Sequence, residues 1–305
     1  MSRLLFGLGA QGATISRVQQ RLIDEGLLAT KVDGDFGGKT KAAVEAFQKS
    51  KNLPQTGDID ETTWTSLMNA PVPPVSDRAL ALTATFEGHG FTLAQGNFDG
   101  AGITWGIIGF TLKGGELGKI LQDAYAEDPD LVRSCFGDKT DELLAHLKEP
   151  WATQLAWADS ISTGSQKAGL AEPWKSAFAK LGSTELAQRL QSERVQNAYY
   201  KPALATALQW GLTTELGAAL CFDIHVQNGG IGSKAADKIR AEMTPGMSEK
   251  DVRVLIANAV ADNAIERWRE DVRQRKLAIA TGEGSVHDSA PFVLRYWGLD
   301  DLVGS

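Results

Sequence analysis

Cysteine is almost missing from this chain. Cys135 and Cys221 are the only two in 305 residues, too few for a disulfide framework, so a reduced pair of buried thiols is expected. No apolar stretch is long enough to span a bilayer, which excludes membrane insertion as the working mode. Nor does the start resemble a secretory leader, because Met1-Ser2-Arg3-Leu4-Leu5-Phe6 gives way to Gly7 before an apolar core of leader length can form. The expectation is a protein made in a cytoplasm without a signal peptide and exported by a machine other than the general secretion route. Positive charge is not in excess either: 31 Lys and Arg against 38 Asp and Glu give a formal charge of −7, which argues against a nucleic-acid partner. Histidine and cysteine fall at no spacing that suits a metal, and neither metal nor other cofactor is expected.

What is present divides the chain in two. A length of 305 residues with 43% hydrophobic content suits a small domain plus a larger one with a sizeable core. Pro71-Val72-Pro73-Pro74-Val75 reads as a short stiff linker, so the expected boundaries are 1–70, a linker at 71–76, and 77–305. Residues 1–70 hold eight basic and eight acidic side chains, and the net negative charge therefore lies beyond them. In that first segment Ile15, Val18, Leu22 and Ile23 follow helical spacing, as do Val44 and Phe47 after Thr40. A third short helix carries Trp64 and Leu67. These make a three-helix unit with a small core.

Its motifs are specific. Asp33-Gly34-Asp35-Phe36-Gly37 with Thr40, then Ala43-Val44 with Phe47-Gln48, then Thr56-Gly57 with Ile59-Asp60 and Thr63-Trp64 with Leu67 occur in order over about fifty residues. In this the segment resembles the peptidoglycan-binding domain type 1, and the resemblance implies a module that holds the bacterial cell wall. The same anchors also read as nothing more than the core of a three-helix fold.

The densest chemistry lies between Phe86 and Phe110. The run Ser76–Glu87 reads as a helix capped by Ser76 or Asp77 and stopped by Gly88. Glu87 then sits at the C-terminal end, where the helix dipole disfavours negative charge and Phe86 helps to desolvate it; both raise a carboxyl pKa, as a general acid requires. Asp99 precedes Gly100 in a polar turn, ahead of alternating Ile103, Trp105 and Ile107, a wetter setting that keeps it ionised. Two carboxyl groups in contrasting environments are what cleavage of a glycosidic bond needs. On the pattern alone, Glu87 reads equally as a solvated helix end and Asp99-Gly100 as a simple turn.

The run Asp99-Gly100-Ala101-Gly102-Ile103-Thr104-Trp105-Gly106-Ile107-Ile108-Gly109-Phe110 resembles the catalytic segment of the chitosanase-type branch of the lysozyme superfamily. The resemblance implies Glu87 as acid, Asp99 as the base that activates water, and Thr104 as a residue that positions that water. Weaker likenesses follow in order at Gln191–Arg194 with Tyr199–Ala203, at Phe222–His225, and at Asp271–Lys276, so the likeness spans most of 77–300. It departs in a shorter gap between Glu87 and Asp99 and in the absence of an acidic set for gripping a polycationic sugar.

The remaining chain reads as helical. Leu216, Ala219, Leu220 and Asp223 share one face, and Ile265, Trp268, Val272, Arg275 and Ile279 share another. A charge on each apolar stripe predicts a buried ion pair, Asp223 with Arg275, as architectural support. His225 and Asn228, near a helix end, are candidate substrate contacts, although a lone histidine is equally a satisfied structural residue. Trp105 on the candidate strand would stack a sugar ring if it faced the cleft.

The fold expected is mainly α: an N-terminal three-helix bundle, then a lysozyme-superfamily catalytic domain, mostly helical with a small β-sheet at the cleft. The function expected is a muramidase acting on peptidoglycan glycan strands in the periplasm or cell wall, cleaving the β-1,4 bond between N-acetylmuramic acid and N-acetylglucosamine, with inversion. A chitosanase, a lytic transglycosylase and a non-catalytic wall-binding protein are the alternatives. Joint retention of Glu87, Asp99 and Thr104 argues against the last. The context expected is a phage endolysin released through a holin, or an antibacterial effector with contact-dependent export and an immunity protein.

Overall fold

The computed structural model describes residues 2–87, 90–286 and 292–303. The protein is mainly helical, with small two- and three-stranded sheets. It divides into two compact units, residues 1–85 with 198–305, and residues 86–197.

In the first unit the strand Leu4–Phe6 pairs antiparallel with Ile59–Asp60, beside helices Ala13–Asp24, Gly38–Ser50 and Glu61–Met68. Ile15, Val18, Leu22, Val44, Phe47, Trp64 and Leu67 are buried, as their spacing predicts. Asp60 caps the third helix by accepting from Thr63 N at 2.7 Å. Two buried glutamines explain the motif glycines. Gln19 Oε1 accepts from Asp33 N and Gly34 N while its amide donates to Asp33 Oδ1 and Thr40 Oγ1. Gln48 repeats the device, accepting from Gly57 N and donating to Asp58 O and Thr63 Oγ1. Gly34 and Gly57 both have left-handed backbones, φ +77° and +72°. Each loop thus folds around one helix amide.

The same unit ties its two chain segments together at Glu215, which is buried. Arg78 Nη2 donates to Glu215 Oε1 at 3.0 Å, Arg3 Nη2 pairs with Oε2, and Asp300 N donates to that oxygen at 3.2 Å. Arg3 Nη2 also donates to Gly298 O at 2.5 Å, and Gly7 N to Tyr296 O at 3.3 Å. The helix Val75–Glu87 begins inside the stretch expected as linker, one residue before Ser76, so neither Ser76 nor Asp77 is its cap. Arg78 Nε holds the preceding prolines through Pro73 O. Gly88, expected as the helix stop, lies outside the described residues.

Helix Glu215–Asn228 is capped by Thr214, which accepts from Gly217 N, and closed by left-handed Gly229. It is buried from Glu215 through Ile224. It packs against helices Glu249–Asp262 and Arg269–Thr281. The predicted stripe from Ile265 to Ile279 is shorter than its spacing suggested: Ile265 and Trp268 are exposed, while Val272, Arg275 and Ile279 are buried. A 3₁₀ turn at Glu266–Trp268 precedes the helix at Arg269, and its three-residue turn shifts the phase.

The second unit holds helices Glu116–Glu127, Pro129–Phe136, Trp151–Ile161, Trp174–Gly182 and Glu185–Val195 and a three-stranded antiparallel sheet, against which Glu116–Glu127 and Trp174–Gly182 pack. That sheet joins Ala94–Gln95, Thr104–Trp105 and Phe110–Thr111, with Thr104 opposite Gln95 and Thr111. A run of aromatic contacts fills the core, from Trp105 to Phe178 at 5.6 Å, Phe178 to Phe136 at 5.2 Å, and Trp174 to Trp157 at 5.3 Å.

Candidate functional site

Glu87 is the last residue of its helix and half-buried. Asp99 is exposed on the loop between the first two strands, and its Oδ1 accepts from Ala101 N at 2.9 Å, closing an Asx turn. This loop is pinned. Asn97 donates its amide to Asp159 Oδ1 at 2.6 Å, accepts from Gly102 N at 2.8 Å, and donates its backbone N–H to Ser162 Oγ at 2.9 Å. Hydrogen bonds from Lys167 and Asn97 hold Asp159 below the usual carboxylate range. Gly96 completes the dock, since a Cβ there would lie 2.5 Å from both Gly169 O and Ser162 Oγ. A polar frame of Asn97, Asp159 and Ser162 therefore fixes the backbone on which Asp99 rides.

Thr104 lies on the central strand, buried at 6% exposure, and among the described residues its Oγ1 has no hydrogen-bond partner. The turn after the strand is held by Gln191, fully buried on helix Glu185–Val195. Its Oε1 accepts from Ile107 N at 3.0 Å and its Nε2 donates to Phe91 O at 3.1 Å. Gly106, at φ +92°, leaves the room Gln191 occupies, since a Cβ there would come within 2.8 Å of Gln191 Cδ. Gln191→Leu keeps the bulk but strands the Ile107 N–H and the Phe91 carbonyl. It is expected to lower the unfolding free energy by about 2–3 kcal/mol, measured by denaturant titration.

The other residues singled out by the sequence fall as follows. Trp105 is fully buried against Phe178, so it cannot offer a face to a sugar, a correction to the expected stacking role. Ile103 and Ile107, on either side of the strand, are buried as well. His225 and Asn228 belong to the first unit. The ring Nε2 of His225 bonds Thr206 Oγ1 at 2.9 Å, and burial pushes its pKa down, favouring the neutral imidazole. Asn228 is exposed at the helix end.

The ion pair predicted from the two stripes is present. Asp223 has no exposed surface, and Arg275 meets it through Nε at 3.0 Å and Nη2 at 2.7 Å. Lys276 is a third partner that the sequence reading missed, bonding Asp223 Oδ2 and also Gln227 Oε1 at 2.6 Å. Thr83 Oγ1 donates to Asp223 Oδ1 at 3.1 Å. Burial alone would raise the Asp223 pKa, but the charges and hydrogen bonds of Arg275 and Lys276 outweigh it and hold the group at about 2. Among the described residues no group of His, Cys, Asp and Glu is arranged to hold a metal ion, and no helix is long and apolar enough to cross a membrane.

Comparison with known proteins gives two family matches. Residues 11–67 match a peptidoglycan binding domain and residues 83–254 match glycosyl hydrolase family 46. No curated protein matches the chain. Among solved structures, a mutant chitosanase from Bacillus subtilis MY002 complexed with 6 GlcN is 19% identical over 72% of this chain and 98% of its own, at a TM-score of 0.51. The native chitosanase from the same source is 18% identical over 72% and 97%, at 0.50. A Burkholderia AP3 phage endolysin is 20% identical over 73% of this chain and 96% of its own, but its TM-score of 0.20 is too low to inform the fold. The two chitosanases share the fold.

Proposed function

The chain belongs to glycosyl hydrolase family 46, and from that premise we propose that this glycosidase is a muramidase, cleaving the β-1,4 bond between N-acetylmuramic acid and N-acetylglucosamine. The observation that supports the catalytic assignment is the hydrogen-bonded loop that holds solvent-exposed Asp99, with the buried Thr104 five residues on at the start of the following strand. In this reading Asp99 takes a proton from the attacking water and the Thr104 hydroxyl helps to position that water. Glu87, on the helix that leads into the second unit, donates a proton to the leaving oxygen. Asp99 activates water in place of attacking directly, which gives inversion. His225 and Asn228 are proposed as glycan contacts, and the Asp223 cluster as support.

The choice of peptidoglycan over chitosan rests on the N-terminal module. A peptidoglycan binding domain on the same chain directs the enzyme to the bacterial wall. We propose 1–70 as that module and 77–305 as the glycosidase, delivered through a holin-opened membrane or by contact-dependent export. The structural likeness to chitosanases favours chitosan as the second reading.

Proton NMR in the first minutes of hydrolysis tests the mechanism. The α-anomer should appear first, Asp99→Asn should be nearly inactive, and Thr104→Ala should retain measurable activity. An initial β-anomer would mean retention, and an anhydro product with full activity in Asp99→Asn would mean a transglycosylase.

A further inference from the structure

Large apolar side chains are left exposed in the second unit at only two of its described positions, Leu93 at 38% and Phe98 at 48%. They flank the same short strand, Ala94–Gln95. A single exposed apolar residue needs no explanation, but two within six residues of one another in a 112-residue unit mark a place. Phe98 is the immediate chain neighbour of Asp99, and its backbone is fixed on both sides. Phe98 N donates to Gly96 O at 2.9 Å, Asn97 is held by Ser162 and Asp159, and Asp99 closes its own turn on Ala101.

The charge beside it is already spent. Asp159 is ion-paired with Lys167 at 2.8 Å, so the frame under the loop offers a glycan no free acidic grip. Next to its one exposed carboxylate the loop carries a phenyl side chain that is about half exposed. Pyranose rings carry a C–H face that packs on aromatic surface, and such a contact does not depend on whether the amino group is acetylated or charged. Trp105, the nearest tryptophan in sequence, is withdrawn into the core and cannot do this.

We propose that Phe98 is a binding platform for a hexosamine ring at the bond being cleaved, with Leu93 extending the apolar surface along the strand. This rests on the reading of Asp99 as part of the active site. It assigns to Phe98 affinity for the ring and no part in proton transfer. The two are separable in kinetics: loss of the platform raises KM and leaves kcat close to the parent's.

The test uses the full chain on two series of soluble oligomers, peptidoglycan glycan fragments and glucosamine oligomers, with KM and kcat measured on whichever is cleaved. Phe98→Ala should raise KM by about tenfold with kcat within about threefold, while Phe98→Tyr and Phe98→Trp restore KM. An unchanged KM in Phe98→Ala overturns the platform. So does an equal defect in Phe98→Ala and Phe98→Tyr, since a ring of the same shape would then fail to rescue. The identity of the cleaved oligomer judges the muramidase reading separately, because the effect of Phe98→Ala is read as a ratio on either glycan.

Discussion

Glu87→Gln should reduce lysis of purified sacculi by about 10²–10⁴-fold while leaving co-sedimentation with them intact. Glutamine keeps the shape of the side chain but has no proton to give the leaving oxygen, and general acid catalysis contributes a factor of that order. Binding survives because the module matched as a peptidoglycan binding domain, residues 11–67, is untouched. The two readouts must separate. A turbidity assay showing activity within about tenfold of the parent would remove Glu87 from the role of acid, and joint loss of lysis and binding would point to misfolding.

Asp223→Asn should be the most destabilising of the substitutions considered. It leaves Arg275 and Lys276 buried against a neutral amide, and breaking a buried charge set from one side costs about 3–5 kcal/mol. The pH dependence follows from the same geometry. The carboxyl sits at about 2 in the fold against an ordinary value of 3.8, so its folded pKa is depressed. Its contribution is therefore fully present above about pH 4 and is lost as pH falls through about 2. Thermal or urea melts between pH 5 and pH 2 should show the parent losing stability more steeply than Asp223→Asn at the acid end. Parallel curves would mean that Asp223 is not the group being titrated.

How much of this was legible in the sequence depended on what kind of signal each residue leaves. The Asp223–Arg275 pair was readable because a charge on an apolar stripe has few ways to be buried. Lys276 was not, since it stands one position on from Arg275, about 100° around the helix, off the stripe that drew attention. The motifs of the N-terminal module were plain, but their cause, two helix glutamines gathering loop N–H groups, has no periodicity to betray it. Gln191 and Asn97 escaped for the same reason: an amide that gathers scattered hydrogen-bond partners looks like any polar residue in the sequence. Trp105 was the opposite case. Its nearness in sequence to a candidate carboxylate does not report which way the side chain faces, and the whole stretch 102–108 is buried.

The Glu215 cluster was invisible for a further reason. Arg3, Arg78, Glu215 and Gly298 are scattered along nearly the whole chain, and only the fold brings them together. Local pattern reports helices and turns faithfully, but convergence of distant side chains belongs to the tertiary structure.

Mass spectrometry of the soluble fragments released from purified sacculi by the full-length protein tests the central assignment most directly. Disaccharide-peptides ending in a reducing N-acetylmuramic acid are the predicted products, absent with Glu87→Gln. Fragments ending in anhydromuramic acid, or no release from sacculi alongside efficient cleavage of chitosan, would contradict it.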